Sequence, residues 1–230
     1  MRSKYFKTYP FAKIGFLVIP LLAFIFLMDN YFPKTAPAGF QSFIIAFEFA
    51  QTPADIFLLF KNISPQAIIN IDFGNYFDFG FMLTYSLFLG LMFRKAALVF
   101  KKKWLLIGIP LTLITLGSDV VENIFLLEIT KIYSLHINES VLLPLLKKLH
   151  FITWLKWGTL SLSFLLFSVE LFKSNWLGKI LATLCVLPFV LAIWAINQSA
   201  EAINWFTLSI FLGFFALFIF AFTARNRFTR

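Results

Sequence analysis

Six stretches of largely apolar residues, each about 20 residues long, set what this chain can fold into. They fall at approximately 10–28, 76–96, 104–128, 149–171, 178–197 and 203–223. A helix rises ~1.5 Å per residue, so about 20 residues cross a hydrocarbon layer of ~30 Å. Within that layer every backbone N–H and C=O must be satisfied inside the protein, and a helix does this by itself. The pattern predicts an all-α fold: a polytopic transmembrane bundle of about six helices, forming a single domain over 1–230. Composition points the same way. Only 13% of the residues are charged, where soluble domains carry about a quarter.

Orientation follows from lysine and arginine, which collect in loops that stay on the cytoplasmic side. With the N-terminus inside, Arg2, Lys4, Lys7 and Lys13 lie inside. So do Arg94, Lys95, Lys101, Lys102 and Lys103, then Lys173 and Lys179, and finally Arg225, Arg227 and Arg230. That places 14 of the 20 basic residues inside, whereas Glu170 is the one acidic residue of 11 on that side. The net charge of +9 is therefore explained by topology, and nucleic acid is not expected as a partner. Ala36-Pro37-Ala38 imitates a signal-peptide cleavage site. The apolar stretch ends about ten residues before it, too far upstream, so the first span reads as an uncleaved anchor.

The same inventory bounds the chemistry. Cys185 is the only cysteine, so no internal disulfide forms. Two histidines, His136 and His150, do not suffice for a three-histidine zinc site. The chain has no Walker loop, no G-x-G-x-x-G, no H-E-x-x-H and no G-x-S-x-G. No metal and no cofactor is expected on these grounds. There is no internal repeat, and the first four spans carry nearly all the intramembrane polar residues while the last two are rich in Phe, Leu and Ile, an asymmetry that argues mildly against a transporter of duplicated halves.

The outer loop, about 29–75, is more than a linker. Its 40–62 portion carries apolar residues along its whole length. Thr52-Pro53-Ala54-Asp55 reads as a helix start, with Thr as N-cap, Pro first and Asp in the first turn, so a short helix is expected over about 53–61. Residues 43–50 fit strand or helix equally. An apolar segment outside the bilayer lies on the membrane surface or packs over helix ends. It is either a lid over an outer pocket, with Glu48, Thr52 and Asp55 as its polar residues, or a packing element.

Polar residues inside the spans mark the candidate site. In the third span, Asp119, Glu122 and Asn123 stand three and four residues apart and share a helix face. In the fourth, Thr153, Lys156, Thr159 and Ser163 form one stripe. His150 falls on another face with Trp154 and Trp157, which reads as an aromatic interface belt. In the second, Asp78 and Tyr85 align two turns apart, and Gly80, Thr84, Ser86 and Gly90 offer close helix approach. Asp78, Tyr85, Asp119, Glu122, Asn123 and Lys156 can all occupy the outer half. A charge in hydrocarbon is unfavourable by at least ~2.5 kcal/mol and seeks a partner. Asp119 is the expected partner of Lys156, with Glu122 second. Asp78, Asp119 and Glu122 leave an excess of negative charge over Lys156. Protonated carboxyls, an unidentified cation or amine, or exposure to water would each resolve it.

The strings FEFAQTPADIFLLF, DFGFMLTY and GSDVVENIFLL, followed by a lysine in the next span, resemble a recurring pattern in small bacterial multi-pass membrane proteins of no established activity. The resemblance covers roughly 43–160, on Glu48, Thr52, Pro53, Asp78, Tyr85, Asp119, Glu122, Asn123 and Lys156. It implies a bacterial inner (plasma) membrane protein and supports the choice of residues; it supplies no function. Membrane hydrolases of the ceramidase type hold zinc with three histidines, which this chain lacks. An all-carboxylate site from Asp78, Asp119, Glu122 and His150 would instead favour a hard cation.

These features define a multi-pass protein in contact with the lipid bilayer, with a polar, ion-paired pocket that takes a small polar ligand or a lipid headgroup. Two alternatives stay open: a proton- or cation-coupled transporter, and an intramembrane lipid-modifying enzyme using carboxylates. Oligomeric state is not set by the sequence.

Overall fold

The computed structural model describes residues 2–37, 39–135 and 139–225. Ala38, His136, Arg227 and Arg230, which entered the reading of the sequence, lie outside them. The described chain is all helical, with no strand. In order, the helices are α1 (Arg2–Thr8), α2 (Ala12–Gly15), α3 (Val18–Asp29), α4 (Phe43–Glu48), α5 (Pro53–Phe60), α6 (Pro65–Val99), α7 (Gly108–Ser134), α8 (Glu139–Leu171), α9 (Trp176–Ala195) and α10 (Ala200–Thr223). A 3₁₀ turn, Lys103–Ile107, leads into α7.

Among the described residues, six helical stretches are long and apolar enough to cross a membrane: Ala12–Asp29, Pro65–Val99, Lys103–Ser134, Ser140–Leu171, Trp176–Ala195 and Ala200–Thr223. Each overlaps one of the six expected spans. The protein is a multi-pass helical membrane protein.

Where boundaries differ from the hydropathy windows, caps explain it. α6 starts at Pro65, well before 76, because Pro suits the first helical position and Ser64 Oγ accepts the Ala67 N–H at 3.2 Å. The added turns carry Asn70, Asp72 and Asn75, which lower hydropathy without breaking a helix. α9 and α10 start behind Asn175 and Ser199, whose side chains accept the N–H of Gly178 and Ala202. The loop helix is α5, as its sequence predicts. Thr52 Oγ1 accepts the Asp55 N–H at 3.3 Å and the Asp55 carboxylate accepts the Thr52 N–H at 2.9 Å, a reciprocal capping box. Residues 43–48, ambiguous in sequence, are helix.

The chain gathers into two compact units. One, the terminal unit, comprises the chain up to Leu21, Thr84–Ile114 and everything from Gly158 on. The other, the internal unit, comprises Leu22–Leu83 and Thr115–Trp157. Aromatic rings fill the terminal unit: Phe88 stacks on Phe218 with centroids 4.2 Å apart, and Phe164 meets Phe214 edge-on at 5.0 Å.

In the internal unit the core is built around the loop helices. Phe43 and Phe47 of α4 and Ile56 and Phe60 of α5 are buried with Ile71, Leu126, Ile129, Leu146 and Leu149. The Phe60 ring lies edge-on to Phe43 and Phe47, at 5.8 and 5.3 Å. Burying each such side chain contributes about 1.5–3 kcal/mol. The 43–60 segment is thus a packed layer of the fold. Gly80 supplies a close approach: a Cβ there would meet the Phe24 ring at 2.3 Å. Gly90 faces open space, so its small size serves no contact.

Candidate functional site

The site lies within the internal unit and centres on Lys156. Its aliphatic stem runs from α8 and its ammonium meets three carboxylates. Glu122 of α7 contacts it most closely. Glu48, the last residue of α4, lies at 3.1 Å and Asp119 of α7 at 3.4 Å. All four are buried: Glu48 is 7% exposed, Asp119 4%, Glu122 0% and Lys156 6%. The Lys156 ammonium also sits 4.8 Å from the Trp157 ring centroid, in cation–π range.

Neighbouring groups fix the carboxylates. Thr153, one helical turn before Lys156, donates its hydroxyl to Glu122 Oε1 at 2.6 Å and lies 3.2 Å from the Glu48 carbonyl oxygen. The Trp157 indole N–H donates to Glu48 Oε2 at 3.0 Å. Glu48 is therefore held by two adjacent residues of α8. Burial pushes its carboxyl above the usual 4.5, against the opposing pull of Lys156. Charged hydrogen bonds of this kind exceed neutral ones in strength, and inside the fold each partner depends on the other.

A second polar seam joins α6 to α7. Asn123 Nδ2 donates to Asp78 Oδ2 at 2.7 Å and to the Asn75 carbonyl at 3.3 Å. Thr130 donates to Asp72 Oδ1 at 2.7 Å. Asp72, Asn75 and Asp78 recur every three residues, so the seam follows one face of α6. The Asn75 side-chain amide is fully buried, with neither its oxygen nor its nitrogen hydrogen-bonded.

The buried ion pair expected from the sequence is present, with a different order of partners. Asp119 is within ion-pair distance, but Glu122 is the nearest carboxylate and Glu48 is nearer than Asp119. Asp78 and Asn123 pair with each other. Tyr85 belongs to the terminal unit, where it packs edge-on against Phe214 at 5.7 Å. Thr52 and Asp55 cap α5, and Glu48 alone of the three loop candidates joins the cluster. Trp157 was expected in an interfacial belt; it is 8% exposed and bonded to Glu48. A lone glutamate inside the apolar run FIIAFEFA was the signal for a buried polar partner. His150 lies edge-on to Trp154 at 6.4 Å. Among the described residues, no group of three or more His, Cys, Asp or Glu side chains could hold a metal ion, so the carboxylate-plus-His150 set does not assemble.

One ammonium facing three carboxylates carries a formal charge of −2 when all are ionised. Burial makes that excess unfavourable unless a proton or a cation offsets it. Through Glu48, α4 is tied to this cluster. No protein-family model, curated protein or solved structure gave a significant match to the chain.

Proposed function

We propose that this is a bacterial inner-membrane protein, with both termini cytoplasmic, whose Glu48–Asp119–Glu122–Lys156 cluster binds a proton and couples that binding to the α4–α5 layer. The distribution of lysine and arginine supports the orientation. The resemblance of the Glu48–Pro53, Asp78 and Asp119–Asn123 strings to bacterial multi-pass proteins supports the source. The observation that carries the proton-binding reading is the buried cluster of three carboxylates on one lysine, drawn from α4, α7 and α8. Ionisable groups inside a membrane bundle commonly mark proton or ion sites. The low exposure of all four residues favours a proton over a lipid headgroup or an enzyme substrate.

The test is infrared difference spectroscopy of the purified protein in lipid across a pH titration. A carbonyl stretch from a protonated carboxylic acid should be present at neutral pH and diminish in Glu48→Gln or Glu122→Gln. A cluster that is fully ionised at neutral pH would defeat the reading.

A further inference from the structure

The terminal unit contains a cavity of about 420 Å³ at the end of α9 where basic residues collect. One wall is aromatic. Phe11, Phe100 and Phe220 line it, with centroids 5.1 Å apart for Phe11 and Phe220 and 6.0 Å for Phe11 and Phe100. Lys173 and Arg225 supply two cations, and Glu170 is the one carboxylate in the lining. Lys173 pairs with Glu170 at 2.6 Å, yet its side chain is 57% exposed and can turn to a second partner. Arg225 Nε donates to the Tyr9 hydroxyl at 3.2 Å, which uses one of the five guanidinium donors.

α9 starts at the same place, with Asn175, Leu177 and Gly178 in the lining. Helix geometry leaves the first-turn N–H groups without intrahelical acceptors. The Asn175 side chain takes that of Gly178 at 3.1 Å, and the Lys179 N–H makes the first helical bond to the Asn175 carbonyl at 3.1 Å. The N–H group of Leu177, in the lining, is a further first-turn donor beside the two cations. Net positive charge, a helix-start amide and an aromatic wall suit a molecule with an anionic head and an apolar tail.

We propose that this cavity binds a phosphate-bearing membrane lipid, its headgroup at Lys173, Arg225 and the start of α9 and its chain along Phe11, Phe100 and Phe220. Basic pockets between membrane helices on the cytoplasmic side take anionic headgroups by the same physics, and the proposed orientation puts the cavity on that side. Free phosphate shares the headgroup chemistry; the aromatic wall is what favours the lipid.

The experiment uses full-length protein in neutral detergent and measures binding by native mass spectrometry. The probes are phosphatidylglycerol, phosphatidylcholine and inorganic phosphate. Phosphatidylglycerol should be retained best, and inorganic phosphate should not compete at equal concentration. Lys173→Gln with Arg225→Gln should weaken phosphatidylglycerol about thirtyfold, from two basic groups near an anionic surface. Glu170→Gln should strengthen it by freeing Lys173, a change opposite in sign to any general loss of folding. Arg225→Gln alone, at an exposed position, should already weaken binding. Equal retention of phosphatidylcholine overturns the proposal. So does phosphate binding that matches the lipid's, an Arg225→Gln affinity equal to wild type, or a Glu170→Gln affinity no greater than wild type.

Discussion

Lys156→Met removes the ammonium that faces Glu48, Asp119 and Glu122 while keeping most of the side-chain volume. Removing one partner of a buried ion pair typically destabilises by about 3–5 kcal/mol, because the other charge is left uncompensated. Here three carboxylates lose their counter-ion together, which puts the expectation at the upper end of that range. Proton uptake then limits the loss, so the deficit should shrink as pH falls. Adding Glu122→Gln removes the closest carboxylate, and Gln can still accept the Thr153 hydroxyl. The double variant should recover stability relative to Lys156→Met alone, with a coupling of about 2 kcal/mol or more. The assay is equilibrium unfolding in mixed micelles followed by circular dichroism, on wild type, both single variants and the double. A Lys156→Met loss within about 0.5 kcal/mol, the range of ordinary surface changes, would refute the reasoning.

The raised carboxyl of Glu48 predicts a pH dependence. The folded state holds its proton more tightly than the unfolded chain, so this contribution is full below pH 4.5 and declines as pH rises from there through the raised value. Glu48→Gln should remove that decline, its stability relative to wild type growing across the window; parallel stability–pH curves would count against it. Thr52→Ala breaks the α5 capping box and should lower local stability by about 1 kcal/mol, read as faster amide exchange in Pro53–Phe60. Unchanged exchange there would show that packing alone holds the helix. Gly80→Val places side-chain atoms on the Phe24 ring and should destabilise by about 1–3 kcal/mol, whereas Gly90→Ala, which faces open space, should leave the melting temperature unchanged. Equal effects at the two positions would remove the close-packing argument.

Much of the candidate site was legible because helical spacing is a local property. Asp119, Glu122 and Asn123 fall on one side of α7 by count alone, and Thr153 and Lys156 on one side of α8. Thr52-Pro53-Ala54-Asp55 names its own helix start, since every group in the capping box lies within four residues. Glu48 was harder to place. Its contact with Lys156 spans 108 positions, and nothing local in FIIAFEFA says which lysine it meets. Trp157 is hidden for the same reason: by helical count it lies with His150 and Trp154, which fits a membrane belt until a carboxylate from α4 arrives at its N–H.

By itself the sequence determined the number of spans and the all-helical class, because ~20 apolar residues and an internally satisfied backbone leave one solution in a bilayer. It determined the cap of α5, which rests on neighbouring residues. Tertiary structure decided which carboxylate lies nearest Lys156, that Tyr85 packs against Phe214 in the terminal unit, and that the loop helices are a buried layer. Those outcomes depend on how each helix is rotated about its axis and which distant side chains then share a space. Hydropathy counts along the chain carry no record of that rotation.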